Sequence, residues 1–198
     1  MYYIDNYIPK DIIEKYDKEE INFTHRIWDY KDDEGHSIEL FTRDLMEYLS
    51  VICNREIDSD VDKLVLISVP SSKVKRFKKS SMRKSIDIIE ETYNSGELKS
   101  EFNCDKEIIN YKDLLKRVKD VPTAHLGEGR ASCEEHIDSI KCMKDNLSNE
   151  NIAYIVLDDV TTTGDSMRAC NEHLLEAGVK DANIYNIALG ATVRDDNE

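Results

Sequence analysis

The sequence predicts an α/β fold, a parallel twisted sheet flanked by helices. Three observations predict it. Two short apolar runs, "LVLI" (64–67) and "IAYIVL" (152–157), have the length and composition of strands buried on both faces. Each is followed by a stretch whose apolar residues recur every three or four positions, the spacing of one helix face. After the second comes another strand-like run, "ANIYNIALG" (182–190), which gives strand–helix–strand order and hence a parallel crossover.

The elements follow in chain order. Residues 1–20 are tyrosine-rich and charged, contain Pro9, and read as an adaptable N-terminal arm. Ile38, Phe41, Leu45, Leu49 and Ile52 mark one face of a helix. "DKLVLISVP", ending at Pro70, is the first core strand. Met82, Ile86, Ile89 and Tyr93 form a second helical stripe, closed by "NSG" at 94–96. Residues 97–150 hold Pro122, Gly127 and Gly129 between two helix-like flanks and read as a long loop or hairpin with polar tips. "NIAYIVLDD" is the second core strand. Met167, Cys170, Leu174 and Leu175 lie on one side of a helix that Gly178 stops, and "ANIYNIALG" closes the sheet.

The 198 residues favour one domain with a real core over two small ones. No run approaches the ~20 apolar residues of a membrane span, and the N-terminus lacks the basic start and apolar centre of a signal peptide. Five cysteines, at 53, 104, 133, 142 and 170, never form C-x-x-C and read as reduced thiols, so the expected location is cytoplasmic. A net charge of −14 opposes bulk attraction to nucleic acid, yet residues 73–84, "KVKRFKKSSMRK", carry seven basic residues and no acid. His125, Cys133, His136 and Cys142 include one ligand-like spacing for zinc, but a closed zinc site needs four converging ligands; the plainer reading is a loop histidine and buried thiols.

The stretch that carries chemistry is "IVLDDVTTTGDS" (155–166). Asp158 and Asp159 stand at the carboxyl end of a strand, where parallel sheets bind ligands. Thr161, Thr162, Thr163 and Ser166 supply hydroxyls, Gly164 permits close backbone approach, and a helix begins at once. Unpaired N–H groups and the dipole at that helix start favour an anion such as phosphate. The acids repel that phosphate and suit vicinal hydroxyls or a magnesium ion. Phosphate and diol one sugar apart describe a ribose 5-phosphate.

This segment resembles the phosphoribosyl-pyrophosphate (PRPP) loop of type I phosphoribosyltransferases, a Rossmann-like fold. That pattern is an apolar strand, two acids, two usually apolar residues, Thr/Ser, Thr or Gly, Gly, any residue, and Thr/Ser; Thr161 departs from it at the second apolar slot. Weaker similarity to ComF-type members runs over residues 27–193, through "ISVPSSKVKRF" and "LLKRVKDVPTAHLGEGRASCEEHIDSI". The resemblance implies roles. Asp158 and Asp159 hold the ribose hydroxyls and, partly through substrate, Mg2+. Val160, Thr161, Thr162, Thr163, Gly164, Asp165 and Ser166 cradle the 5-phosphate, with the Asp165 side chain pointing outward. Ser71, Ser72 and Lys73 meet pyrophosphate. Arg117, Lys119 and Arg130 fall in a mobile catalytic loop, and the catalytic residues are Asp158, Asp159, Arg117 and Arg130. It further implies a core over 36–193, a small variable hood drawn from residues 1–35, the 97–125 region or the C-terminal tail, and a homodimer. The expected reaction is displacement of pyrophosphate from C1 of PRPP by a nitrogen acceptor that the sequence leaves unnamed. Purine-salvage relatives carry an aspartate where this chain has Thr162, so a purine handled that way is not expected. Two alternatives stand beside the enzyme: a non-catalytic PRPP or nucleotide sensor, and a DNA-handling accessory, which the charge ranks last.

Overall fold

A computed structural model describes residues 1–10, 12–75, 80–96, 104–122, 131–148 and 151–193. In chain order the elements are β1 (Tyr2–Tyr7), α1 (Asn22–Lys31), α2 (Gly35–Arg55), β2 (Lys63–Ser68), α3 (Ser81–Ser95), β3 (Glu107–Asn110), β4 (Leu115–Arg117), α4 (Cys133–Ser139), β5 (Ile140–Cys142), β6 (Ile152–Thr161), α5 (Asp165–Glu176) and β7 (Ile184–Thr192), with 3-10 turns at Ile13–Lys15 and Asp181–Asn183.

Five strands form one parallel sheet in the order β1-β7-β6-β2-β3. Apolar side chains leave both of its faces, so helices must cover both. On one face Ala153, Ile155 and Leu157 of β6 pack with Ile27 and Tyr30 of α1, Phe41, Leu45 and Leu49 of α2, and Ile86 and Ile89 of α3. On the other, Tyr154 and Val156 meet Met167, Cys170 and Leu174 of α5, together with Leu115 and Ile140 from β4 and β5. The predicted apolar stripes of α2, α3 and α5 are the buried faces, apart from the half-buried Leu175. Gly96 and Gly178 lie just past the ends of α3 and α5 with φ of 79° and 98°, which favour glycine.

Three regions differ from the sequence expectation. The expected arm includes a sheet strand: β1 pairs with β7 from Tyr2–Ile187 to Tyr7–Thr192. Its side chains alternate in burial from Tyr2 to Asp5, as on an edge strand covered on one face more than the other, and the strand ends with Tyr7 buried. Within 97–150, β3 adds a fifth strand beside β2, while β4 and β5 pair antiparallel as a separate hairpin. The reading of five reduced thiols is corrected: Cys53 in the last turn of α2 and Cys104 ahead of β3 form a disulfide, with Cα atoms 6.1 Å apart. Cys133, Cys142 and Cys170 are free. Among the described residues no helix is long and apolar enough to cross a membrane.

Candidate functional site

Strand order creates the crevice. From β2 the chain crosses to β3 on one side; from β6 it crosses to β7 on the other, although β2 and β6 are neighbours. Loops that diverge from adjacent parallel strands leave a cleft beyond their carboxyl ends. Ser68 pairs with Leu157, and the Val69 N–H donates to the Leu157 carbonyl at 2.8 Å, so Asp158 begins where the β2–β6 ladder stops. The loop after β2 and the turn after β6 therefore border the same opening.

The two acids leave the strand on opposite sides, as alternation requires. Asp159 continues the face of Ile155 and Leu157, toward α1, where Lys31 Nζ lies 3.3 Å from its Oδ1. The same carboxylate accepts the Val160 N–H at 2.6 Å. Asp158 continues the face of Tyr154 and Val156 and accepts the Asp159 N–H at 2.9 Å. Burial first, and then the Asp159 charge, push the Asp158 carboxyl well above the usual carboxylate range; Lys31, the Asp159 N–H and Arg117 offset this only in part. A carboxyl that keeps its proton beside an ionised one can donate to one hydroxyl while its neighbour accepts from the next. That chemistry suits a vicinal diol.

Lys31 is a residue that sequence reasoning missed. Burial disfavours its charge, but Asp159 overcomes this and raises its pKa. Its ammonium also sits 5.6 Å from the Tyr7 ring, and Tyr7 Oη accepts the Trp28 indole N–H at 3.0 Å. Replacing Lys31 by methionine removes the nearest counter-charge, so the pair should give up its last proton about one pH unit later. Carboxyl-carbon NMR titration of the two side chains measures this; an unmoved titration would contradict the pairing.

The turn after the acids is tied down. Thr161 is buried, and Thr162 Oγ1 lies 2.8 Å from Thr192 Oγ1 of β7. Gly164 has φ of 80° and serves as N-cap of α5, whose start carries no side-chain cap. The first turn of α5 follows directly on the carboxyl end of β6 with the positive end of the helix dipole, and its Asp165 N–H lies 3.4 Å from Thr163 Oγ1. Asp165 does not point outward as expected. Its carboxylate accepts from Thr163 Oγ1 and lies 3.7 Å from the Arg168 guanidinium, folding back over the turn. Thr163 is exposed and Ser166 half-buried.

On the β2 side, Ser71, Ser72 and Lys73 are half-buried at the rim. Val121 N–H donates to the Ser72 carbonyl at 3.0 Å, and Val74 N–H to Asp120 Oδ1 at 2.8 Å, which binds this loop to the segment after β4. Of the basic island, Arg83 instead donates to the Lys112 carbonyl and Asp113, and Lys84 pairs with Asp33. Arg76, Lys78, Lys79 and Arg130 lie outside the described residues.

Arg117 corrects the sequence reading most sharply. It lies in β4, 4% exposed, not in a mobile loop. Its Nε donates to the Ser71 carbonyl at 3.0 Å, Nη2 to the Pro70 carbonyl at 3.1 Å, and Nη1 to Ser139 Oγ. Nη2 also approaches His136 Nδ1 at 3.3 Å. These contacts tie the guanidinium to the loop after β2 and to α4. Lys119, two residues on, is exposed. His136, which the sequence offered only as part of a zinc set, turns to Arg117, while Cys142 donates to the Lys144 carbonyl at 3.1 Å.

Among the described residues, no group of three His, Cys, Asp or Glu could hold a metal ion. Magnesium, however, is commonly held by one or two carboxylates together with substrate phosphates. Asp158 and Asp159 fit a magnesium that arrives with a phosphate ligand. Compared with protein families and curated proteins, the chain matches no family model and no curated sequence.

Proposed function

We propose that the chain binds PRPP with Mg2+ across the β2–β6 opening and transfers its phosphoribosyl group to a nitrogen acceptor. One observation carries this reading. The acid pair, the threonine turn leading into α5, and the Ser71–Lys73 loop border one opening, as a ligand with a 5-phosphate at one end, a diol in the middle and a pyrophosphate at the other requires. Asp158 and Asp159 would engage the ribose hydroxyls, Thr161 to Ser166 the 5-phosphate, and Ser71, Ser72 and Lys73 the pyrophosphate. Asp158 and Asp159 would also hold Mg2+ through substrate oxygens, and its charge would offset that of the leaving pyrophosphate. In the reaction the C1–O bond to pyrophosphate breaks, the oxygen leaving with the electron pair. A C1–N bond forms and the acceptor nitrogen gives up a proton. Backbone N–H groups and Lys73 stabilise the departing charge.

The second reading, a PRPP-binding regulator that performs no transfer, is favoured by Arg117. Its guanidinium is committed to two carbonyls, a serine and a histidine, and does not serve the leaving group. Pyrophosphate release separates the two. With PRPP, Mg2+ and a panel of nucleobases and amines, the transferase reading expects steady release with one acceptor. Saturable PRPP binding with no release across the panel would overturn transfer and leave the regulator.

A further inference from the structure

The two loops that border the opening are joined beneath it by a hydrogen-bonded chain that runs through His136. Arg117 carries only donors, so the 3.3 Å contact between its Nη2 and His136 Nδ1 requires Nδ1 to accept. The imidazole proton is then on Nε2, which lies 3.4 Å from Ser166 Oγ. Ser166 therefore accepts from the histidine, and its own hydroxyl proton is left to be donated elsewhere. Burial and the Arg117 charge both lower the His136 pKa, which keeps the ring neutral as this pattern demands.

The histidine is held as firmly as its partners. A capping box between Ser132 and Glu135 fixes the start of α4. Ser139, three residues after His136, accepts from Arg117 Nη1 and donates to the His136 carbonyl at 2.9 Å. His173 of α5 lies 2.9 Å from the Ile137 carbonyl, which ties α4 to the helix that begins at the threonine turn. The far end of the chain is the pair of carbonyls at Pro70 and Ser71. One short helix thus sets the position of both loops at once.

We propose that His136 is a positioning residue that turns the Ser166 hydroxyl outward as a donor to a phosphate and couples it, through Arg117, to the Pro70–Ser71 loop. The inference rests on the ribose-phosphate reading of the site. It assigns roles to the half-buried His136 and the buried Arg117, which touch no substrate. It also implies that the two anion-binding loops keep a fixed separation, since both hang from one imidazole and one guanidinium.

The test combines spectroscopy on the unaltered protein with a mutant cycle. Long-range nitrogen–proton NMR on the wild-type chain should show His136 as the Nε2–H tautomer; an Nδ1–H tautomer would overturn the chain of bonds. For the cycle, ribose 5-phosphate affinity is measured calorimetrically on wild type, His136→Asn, Ser166→Ala and the double variant. Asparagine can still accept from Arg117 but does not reach Ser166. Each single change should cost about tenfold, the worth of one hydrogen bond to a charged group, and the double variant should cost no more than either alone. His136→Gln, whose amide nitrogen reaches the Nε2 position, should stay within about threefold of wild type, a rescue that loss of packing would not show. Additive losses in the double variant would overturn the proposal. A wild-type protein that binds no ribose 5-phosphate would instead overturn the functional reading on which it rests.

Discussion

Asp158→Asn is expected to raise the melting temperature at neutral pH while it weakens ligand binding. The folded protein holds this carboxyl in a site where burial and the Asp159 charge disfavour ionisation, so its pKa lies above that of the unfolded chain. Between the ordinary value of 3.8 and the raised one, the folded state keeps a proton that the unfolded chain has released. Stability contributed by that proton is present below 3.8 and is lost as pH rises through the folded-state value. Asparagine keeps the oxygen that accepts the Asp159 N–H but cannot ionise, so it removes the loss. With one pKa unit worth about 1.4 kcal/mol and about 2–4 °C per kcal/mol in a chain of this size, each pH unit above the ordinary value should add roughly 3–6 °C to the gain until the folded-state value is reached. It should shrink toward zero as pH falls to the ordinary carboxylate value. Thermal unfolding of both proteins across that range measures it. A variant less stable at every pH would show that Asp158 serves the fold. A gain at neutral pH marks a residue kept at a cost in stability, as binding sites often are.

Arg117→Met should produce the opposite effect. Methionine matches the length of the stem but leaves the carbonyls of Pro70 and Ser71, Ser139 Oγ and His136 Nδ1 without their common donor. Breaking a buried charged network of this kind costs about 3–5 kcal/mol, or a fall of about 10 °C. Arg117→Lys should recover less than half of that, because one ammonium cannot reproduce a planar fork aimed at separate acceptors. A catalytic arginine in a mobile loop predicts another pattern: an unchanged melting temperature and a loss confined to turnover. Differential scanning calorimetry of the two variants decides between them.

How far the site was legible in the sequence depends on the range of the contacts involved. Continuous apolar runs identified β2 and β6 because burial on both faces leaves no polar alternation. The acid pair, threonines and glycine of 158–166 are adjacent in the chain, so their grouping needed no fold to be seen. The edge strand β1 was hidden because "YYIDNY" is short, half polar and shows no period-two alternation of apolar with polar residues. β3 has four residues and no turn signature. The Cys53–Cys104 disulfide spans 51 residues and became visible only once α2 and the start of β3 were placed together. Arg117 was misread for the same reason. In "LLKRVKD" it looks like a surface cation, yet Leu115 and Arg117 alternate inward on β4 with Lys116 between them. Lys31 and His136 carried no local signal at all, since their partners, Asp159 and Arg117, lie in distant segments.

The acids at the end of β6 bear the whole assignment, and calorimetric titration of PRPP with Mg2+ into wild type and into the Asp158→Asn/Asp159→Asn variant tests them most directly. The wild-type chain should bind saturably. The double variant, shown to be folded, should bind about a hundredfold more weakly, because one neutral and one charge-assisted hydrogen bond to ribose hydroxyls are gone. Equal affinity in the two proteins would contradict the account.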